Sequence, residues 1–280
     1  MRTLPIPSLE STTVYLACIS RVRKRQLRRD LESIVDVIEE DALTYEQLSQ
    51  SKNWYLFNES ENVNGIISKE EMEKVYTNRM AKIDAPGRRY YDQIIESTPF
   101  NICPLCAHRT VEQLDHYLPK AKFPSLVVLP INLVPSCEKC NKVKLDEKPN
   151  NSEQQILHPY FDDVTGHQWL FAKVTKTSPA SFVFFVRDVD AFNDELNKRI
   201  RHHFSTLKLN RLYASQAGAF VEDIKHRLND LYNRAGMNEV RNYLRDEETT
   251  RRLINVNSWQ RAMFQALSNS TWFCDGGFRV

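Results

Sequence analysis

Residues Leu114 to Lys142 read LDHYLPKAKFPSLVVLPINLVPSCEKCNK, and a little upstream Cys103 to Cys106 read CPLC. The cysteines decide how this stretch folds. Cys103-x-x-Cys106 and Cys137-x-x-Cys140 are two clips with 30 residues between them. Each clip can place two thiolates on one ion through a tight turn, and two clips complete the closed tetrahedral set of a structural zinc site. A redox disulfide needs only one such clip, usually in a different setting. Cys18 and Cys274 stand alone near the ends and read as free thiols of a reducing compartment.

The rest of the chain sets the frame. With 280 residues, 41% hydrophobic and 26% charged, it can bury one large core or two modest ones. No apolar run approaches the roughly 20 residues that span a bilayer, and the first residues lack the pattern of a secretory signal. A cytoplasmic protein with no membrane partner is expected. A net charge of +2 excludes a globally basic nucleic-acid binder, yet the basic residues are bunched. Arg21, Arg23, Lys24, Arg25, Arg28 and Arg29 fall within nine positions, where a solvated helix face explains them as well as a binding surface does. Lys120, Lys122, Lys139, Lys142, Lys144 and Lys148 frame the quoted stretch, where local charge can grip phosphates.

On either side the patterns are helical. Leu27, Leu31, Ile34, Val35 and Ile38 recur at helical spacing between Ser20 and Glu40. Ser68 and Glu71 form a capping box that opens a helix carrying Met72, Val75, Tyr76 and Met80, and a short helix is expected from Gly87 to Ser97. After the cysteines, Trp169–Val174 and Ser181–Val186 are aromatic and β-branched and predict a hairpin. Helical stripes then resume. One runs through Phe192, Leu196, Ile200 and Phe204, one through Ala217 to Leu231 closed by Gly236, and a last one carries Trp259 to Leu267 behind Asn257 or Ser258 as cap. His158, in LHPYFDD, reads as part of a packing segment set against the C-terminal half.

Between the clips, Val111–Tyr117 predicts a strand with Asp115 and His116 on adjacent positions. Asn141 follows the second clip, on a short helix that zinc would pin to the loop ahead of that strand. Asp115, His116 and Asn141 can thereby converge. A carboxylate and an amide oxygen suit a hard divalent cation that keeps room for water and phosphate, and a neighbouring imidazole can take a proton.

At these residues the chain resembles the HNH endonuclease family, whose zinc-clip members carry CxxC, then Asp-His on a strand, a central Asn, and CxxC followed by His or Asn on a helix. Here those elements are Cys103 and Cys106, Asp115-His116, Asn132, Cys137 and Cys140, and Asn141. The longer wording is similar to HNH proteins of bacterial phage-defence operons, of Septu-like or retron-associated type. The resemblance covers roughly residues 100 to 165 and implies a zinc-stapled ββα-metal fold for about residues 98 to 150. With the helical and hairpin patterns on either side, the chain is expected to be α+β, mainly α-helical, with an N-terminal helical region (1–98), the HNH module (99–165), and a β-hairpin with C-terminal helices (166–280).

The resemblance implies His116 as the base that activates water, and Asp115 and Asn141 as ligands of a catalytic Mg²⁺ or Mn²⁺. Asn132 would organise the loop, and the four cysteines would hold structural Zn²⁺. Lys120, Lys142 and Lys144 are candidates for DNA phosphate. The expected activity is hydrolysis of DNA phosphodiesters, and an ATPase or other protein from a neighbouring gene is the expected partner. The alternative is a non-catalytic zinc module that binds DNA or a protein.

Overall fold

Short amphipathic segments cannot bury their apolar faces alone, so the first half of the chain folds them around the β-hairpin that carries the quoted stretch. The computed structural model describes residues 1–144 and 148–279. The fold is α+β with small two-stranded sheets, and it separates into two compact units, Met1–Asp162 and Asp163–Val280.

In the first unit, helices α1 (Ser11–Ile19), α2 (Arg25–Glu32) and α3 (Val35–Ser51) precede a two-residue ribbon of β1 (Asn62–Val63) and β2 (Ile67–Ser68). Helices α4 (Lys69–Tyr76) and α5 (Arg88–Glu96) follow, then β3 (Gln113–His116), β4 (Leu133–Ser136) and α6 (Glu138–Lys144). The continuous helical pattern of residues 20–40 is in fact two helices. Ser33 ends α2 by donating its N–H to Arg29 O, and Ile34 turns fully inward at the break. At α4 the cap is as read, with Ser68 Oγ accepting from Glu71 N–H. The ribbon β1–β2 leaves no pattern in the sequence, because a two-residue strand carries no alternation to detect.

One core joins these helices to the hairpin. Val14, Tyr15, Ile34, Met72, Val75, Met80 and Ile94 pack with Leu114, Val127, Val128 and Leu133. Gly87 shows how close the packing is. A Cβ there would lie 2.4 Å from Cys18 Sγ and 2.9 Å from the Arg79 carbonyl.

A second buried cluster surrounds His158. Tyr160 N–H donates to its Nδ1, so the proton sits on Nε2, which donates to Tyr45 Oη at 3.2 Å. Trp54 stacks on the ring at 5.1 Å. Within the first unit, the LHPYF segment therefore packs against α3 and Trp54.

In the second unit, β5 (Leu170–Thr175) and β6 (Ser181–Val186) form an antiparallel hairpin in register from Leu170↔Val186 to Thr175↔Ser181. Its inner face, with Leu170, Phe182 and Phe184 buried, meets α8 (Leu209–Ile254) and α9 (Trp259–Asn269), and α7 (Asp194–Thr206) precedes them. Ser258 caps α9, while Asn257 ties its start to β5 through bonds from Trp169 and Leu170 N–H. Gly236 adopts φ +70° and interrupts α8, but the helix resumes because Val240 and Leu244 continue the buried face.

Candidate functional site

The cysteine cluster is built from two loops that the β3–β4 hairpin brings together. Ile102 and Thr110 bridge across the first clip, and Ala107 takes a positive φ of 50° to turn it. Arg109 N–H points at Cys106 Sγ, and Cys140 N–H points at Cys137 Sγ, both at 3.4 Å. Such N–H donors stabilise a thiolate. The four Sγ atoms lie within 4.8 Å of one another and all four residues are buried. Sulfurs around zinc, at about 2.3 Å each, stand roughly 3.8 Å apart, so the set fits one zinc ion with little adjustment. The four thiols are tied to one another: the bond with Cys103 is the main cause that lowers Cys106 and Cys137, while the same set of contacts raises Cys103 and Cys140. A metal that binds the set must displace the protons that remain.

At the other end of the hairpin are Asp115 and His116, paired across to Val134 and Leu133. Both are buried, at 6% and 7% exposure. His116 Nε2 lies 2.8 Å from the Val127 carbonyl, which can only accept, so Nε2 carries the proton and Nδ1 is the acceptor of the neutral ring. Burial pushes the imidazole down to about 3; the Val127 bond opposes this, and Lys120 and Lys144 add to it. The Tyr76 ring meets His116 edge-on at 4.4 Å between centroids.

Asp115 faces α6. Lys144 Nζ lies 3.1 Å and 3.2 Å from its two oxygens, with side-chain exposure of 9% and 8%, and also donates to the His116 carbonyl. Glu112 anchors that helix by accepting from Glu138 N–H at 2.7 Å. Asn141, half-buried, lies one helical turn before Lys144 and so shares its face. Asn132 is fully buried. Its Oδ1 accepts from Leu118 N–H at 2.8 Å, and its Nδ2 donates to the carbonyls of Leu118 and Leu126. It cross-links the loop between the strands.

The lysines separate. Lys144 points inward and pairs with Asp115. Lys120 lies 5.7 Å from the Tyr76 ring centre, and Lys142 is exposed. Three groups of this region escaped the sequence reading: Lys144 as the partner of Asp115, Tyr76 as the ring packed on His116, and Glu112 as the cap of α6. Tyr76 left a trace as one of the apolar positions of α4, and Lys144 as a phosphate candidate.

The chain is 26% identical to protein ea31 of Escherichia phage lambda over 304 aligned residues, which cover 99% of this chain and 100% of that protein. It is 31% identical to Septu protein PtuB of Bacillus thuringiensis over 90 residues, covering 30% of this chain and 34% of that protein. No protein-family model matches, and no solved structure matches. The partial likeness to PtuB and the four-cysteine cluster fit a zinc-binding protein. No described helix is long and apolar enough to cross a membrane.

Proposed function

We propose that this chain is a metal-dependent HNH endonuclease that hydrolyses DNA phosphodiester bonds in the cytoplasm, as the nuclease of a phage-defence system. The observation that carries the reading is the neutral His116 ring beside Asp115, on a hairpin whose far end is closed by four cysteines. The likeness to Septu protein PtuB supports the defence role and a partner protein, for which an ATPase is our candidate.

Val127 holds the imidazole with Nδ1 as its proton acceptor, so His116 can take a proton from an attacking water. Burial keeps the ring unprotonated, and an incoming phosphodiester anion would raise its proton affinity. Asp115 and Asn141 would hold Mg²⁺ or Mn²⁺, which when bound stabilises charge on the scissile phosphate. Asn132 keeps the loop that carries Val127 in place. The cysteines hold zinc for the fold alone, and Lys120 and Lys142 serve the phosphate backbone.

A plasmid-nicking assay with and without Mg²⁺ tests this. Nicking that needs the divalent ion and falls ~10²–10⁴-fold in His116→Ala, with plasmid binding retained, is the expected result. The Lys144–Asp115 pair favours a second reading, in which Asp115 is a structural carboxylate and the module only binds DNA or a protein. Under that reading neither Mg²⁺ nor His116→Ala changes the plasmid.

A further inference from the structure

Strand alternation sorts the β5–β6 hairpin into two faces. Leu170, Phe182 and Phe184 go inward, while Phe171, Lys173, Val183, Phe185 and Arg187 fall on the other side. That outer face is unusual for an exposed surface. Phe171 and Phe185 are register partners, half-buried, with stacked rings 6.1 Å apart. The Arg187 guanidinium lies over both, 4.7 Å and 5.3 Å from their centres. Beside them a cleft of about 460 Å³ opens between β5 and α9, and Lys173, Gln265 and Asn269 contribute to its walls. Its size lies within the roughly 300–1,000 Å³ of small-molecule sites, enough for one nucleotide.

Charge indicates the occupant. Arg201, Arg251 and Arg261 of this unit each meet a carboxylate. Among the described residues, neither Arg187 nor Lys173 does. Residues 163–280 hold 17 Lys and Arg against 13 Asp and Glu, a net +4 on a chain of net +2. Lys173 beside the pair of rings and Arg187 stacked on them complement an anionic backbone bearing bases. Only unpaired bases can lie on such rings, because a duplex hides its base faces in its own stack.

We infer that the outer face of this hairpin, Phe171, Phe185, Arg187 and Lys173, binds single-stranded DNA, its bases on the rings and its phosphates on the two cations. This deepens the endonuclease reading by naming a strand-holding surface on the second unit. Because both units belong to one chain, a strand held there is at raised effective concentration for the nuclease.

Fluorescence anisotropy of a labelled oligo-dT and of a labelled duplex tests the inference, using the full chain with His116→Ala so that nothing is cut. Phe171→Leu with Phe185→Leu keeps apolar bulk and removes the rings. It should weaken oligo-dT binding about 5- to 100-fold and leave duplex binding nearly unchanged. Lys173→Glu changes an exposed side chain that cannot unfold the hairpin. It should weaken oligo-dT binding and lower its salt dependence by about one released ion. Oligo-dT binding that ignores both substitutions, equal weakening of oligo-dT and duplex by the leucine pair, or loss only of a bound protein would each overturn the inference. Parent protein that binds oligo-dT through these residues but never nicks plasmid would instead overturn the endonuclease reading alone.

Discussion

The two ends of the β3–β4 hairpin are held in opposite ways. At the Gln113–Ser136 end the four cysteines need only each other and one ion, and each loop presents its own N–H to a sulfur. About 10 Å along the strand, at the His116–Leu133 end, each polar group leans on a group from elsewhere in the unit. His116 depends on the Val127 carbonyl, Asp115 on Lys144, and Asn132 on the Leu118 backbone. A self-contained cluster makes a sound anchor, and borrowed partners make a site that can be adjusted without unmaking the fold. The comparison predicts that damage will be severe at the first end and graded at the second.

The largest effect is expected from Cys137→Ser. Zinc binding by such sets contributes on the order of 10 kcal/mol to folding, so the variant should lose about one zinc per chain by elemental analysis and become insoluble. Zinc-free protein with an unchanged melting temperature would break the contrast outright. Next comes Lys144→Met, which leaves a nearly buried carboxylate without this partner and should cost about 3–5 kcal/mol. Mg²⁺ should then stabilise the variant more than the parent, because an ion that binds only the folded state adds stability by mass action. Equal thermal shifts with Mg²⁺ for both proteins would remove Asp115 from the list of cation ligands.

Asn132→Ala should lower stability by about 1–3 kcal/mol, since it strands the buried Leu118 N–H, while zinc content stays the same. The smallest loss of stability, about 1 kcal/mol, is expected from His116→Ala near neutral pH. This variant should also change the pH profile. The folded pKa of about 3 lies below the unfolded value of roughly 6.5, so the unfolded chain binds the extra proton between them. Parent stability therefore falls as pH drops through that window, and the His116→Ala profile should be flatter. Denaturant melts of both proteins at pH 7 and pH 5 measure the difference.

The sequence exposes what depends on neighbours along the chain and hides what depends on neighbours across it. The Ser68 cap, the β5–β6 hairpin and the two cysteine clips are short-range patterns, and each is legible as written. Asp115-His116 is equally visible as a pair. Its holding groups are not, because Lys144 is one of six lysines that frame the stretch and reads as a phosphate contact, not as the partner of a carboxylate. Glu112 caps a helix 26 residues away, and no local spacing records that. The neighbours of His158 within its unit are hidden for the same reason: aromatic residues announce burial but not that Tyr45 and Trp54 cover the ring. Gly236 is legible too: its φ of +70° breaks the Leu209–Ile254 run where the sequence places a helix end, and a second helix with Val240 and Leu244 buried follows the break.

The burial of Cys18 and Cys274, both at 0% exposure, bears on how each unit can be watched opening. Cys18 is pressed against Gly87, its thiol pushed up to about 12 by burial, and Cys274 donates to the Leu267 carbonyl. Alkylating reagents attack the thiolate, so neither residue reacts from the closed state. Cys274 is the sole cysteine of residues 163–280, which makes its labelling rate a private clock for the excursions of that unit. Cys18 times the first unit, and a burst of four further thiols would mark opening of the cysteine cluster. The native chain thus carries its own set of reporters, and a mass spectrum after brief alkylation reads them separately.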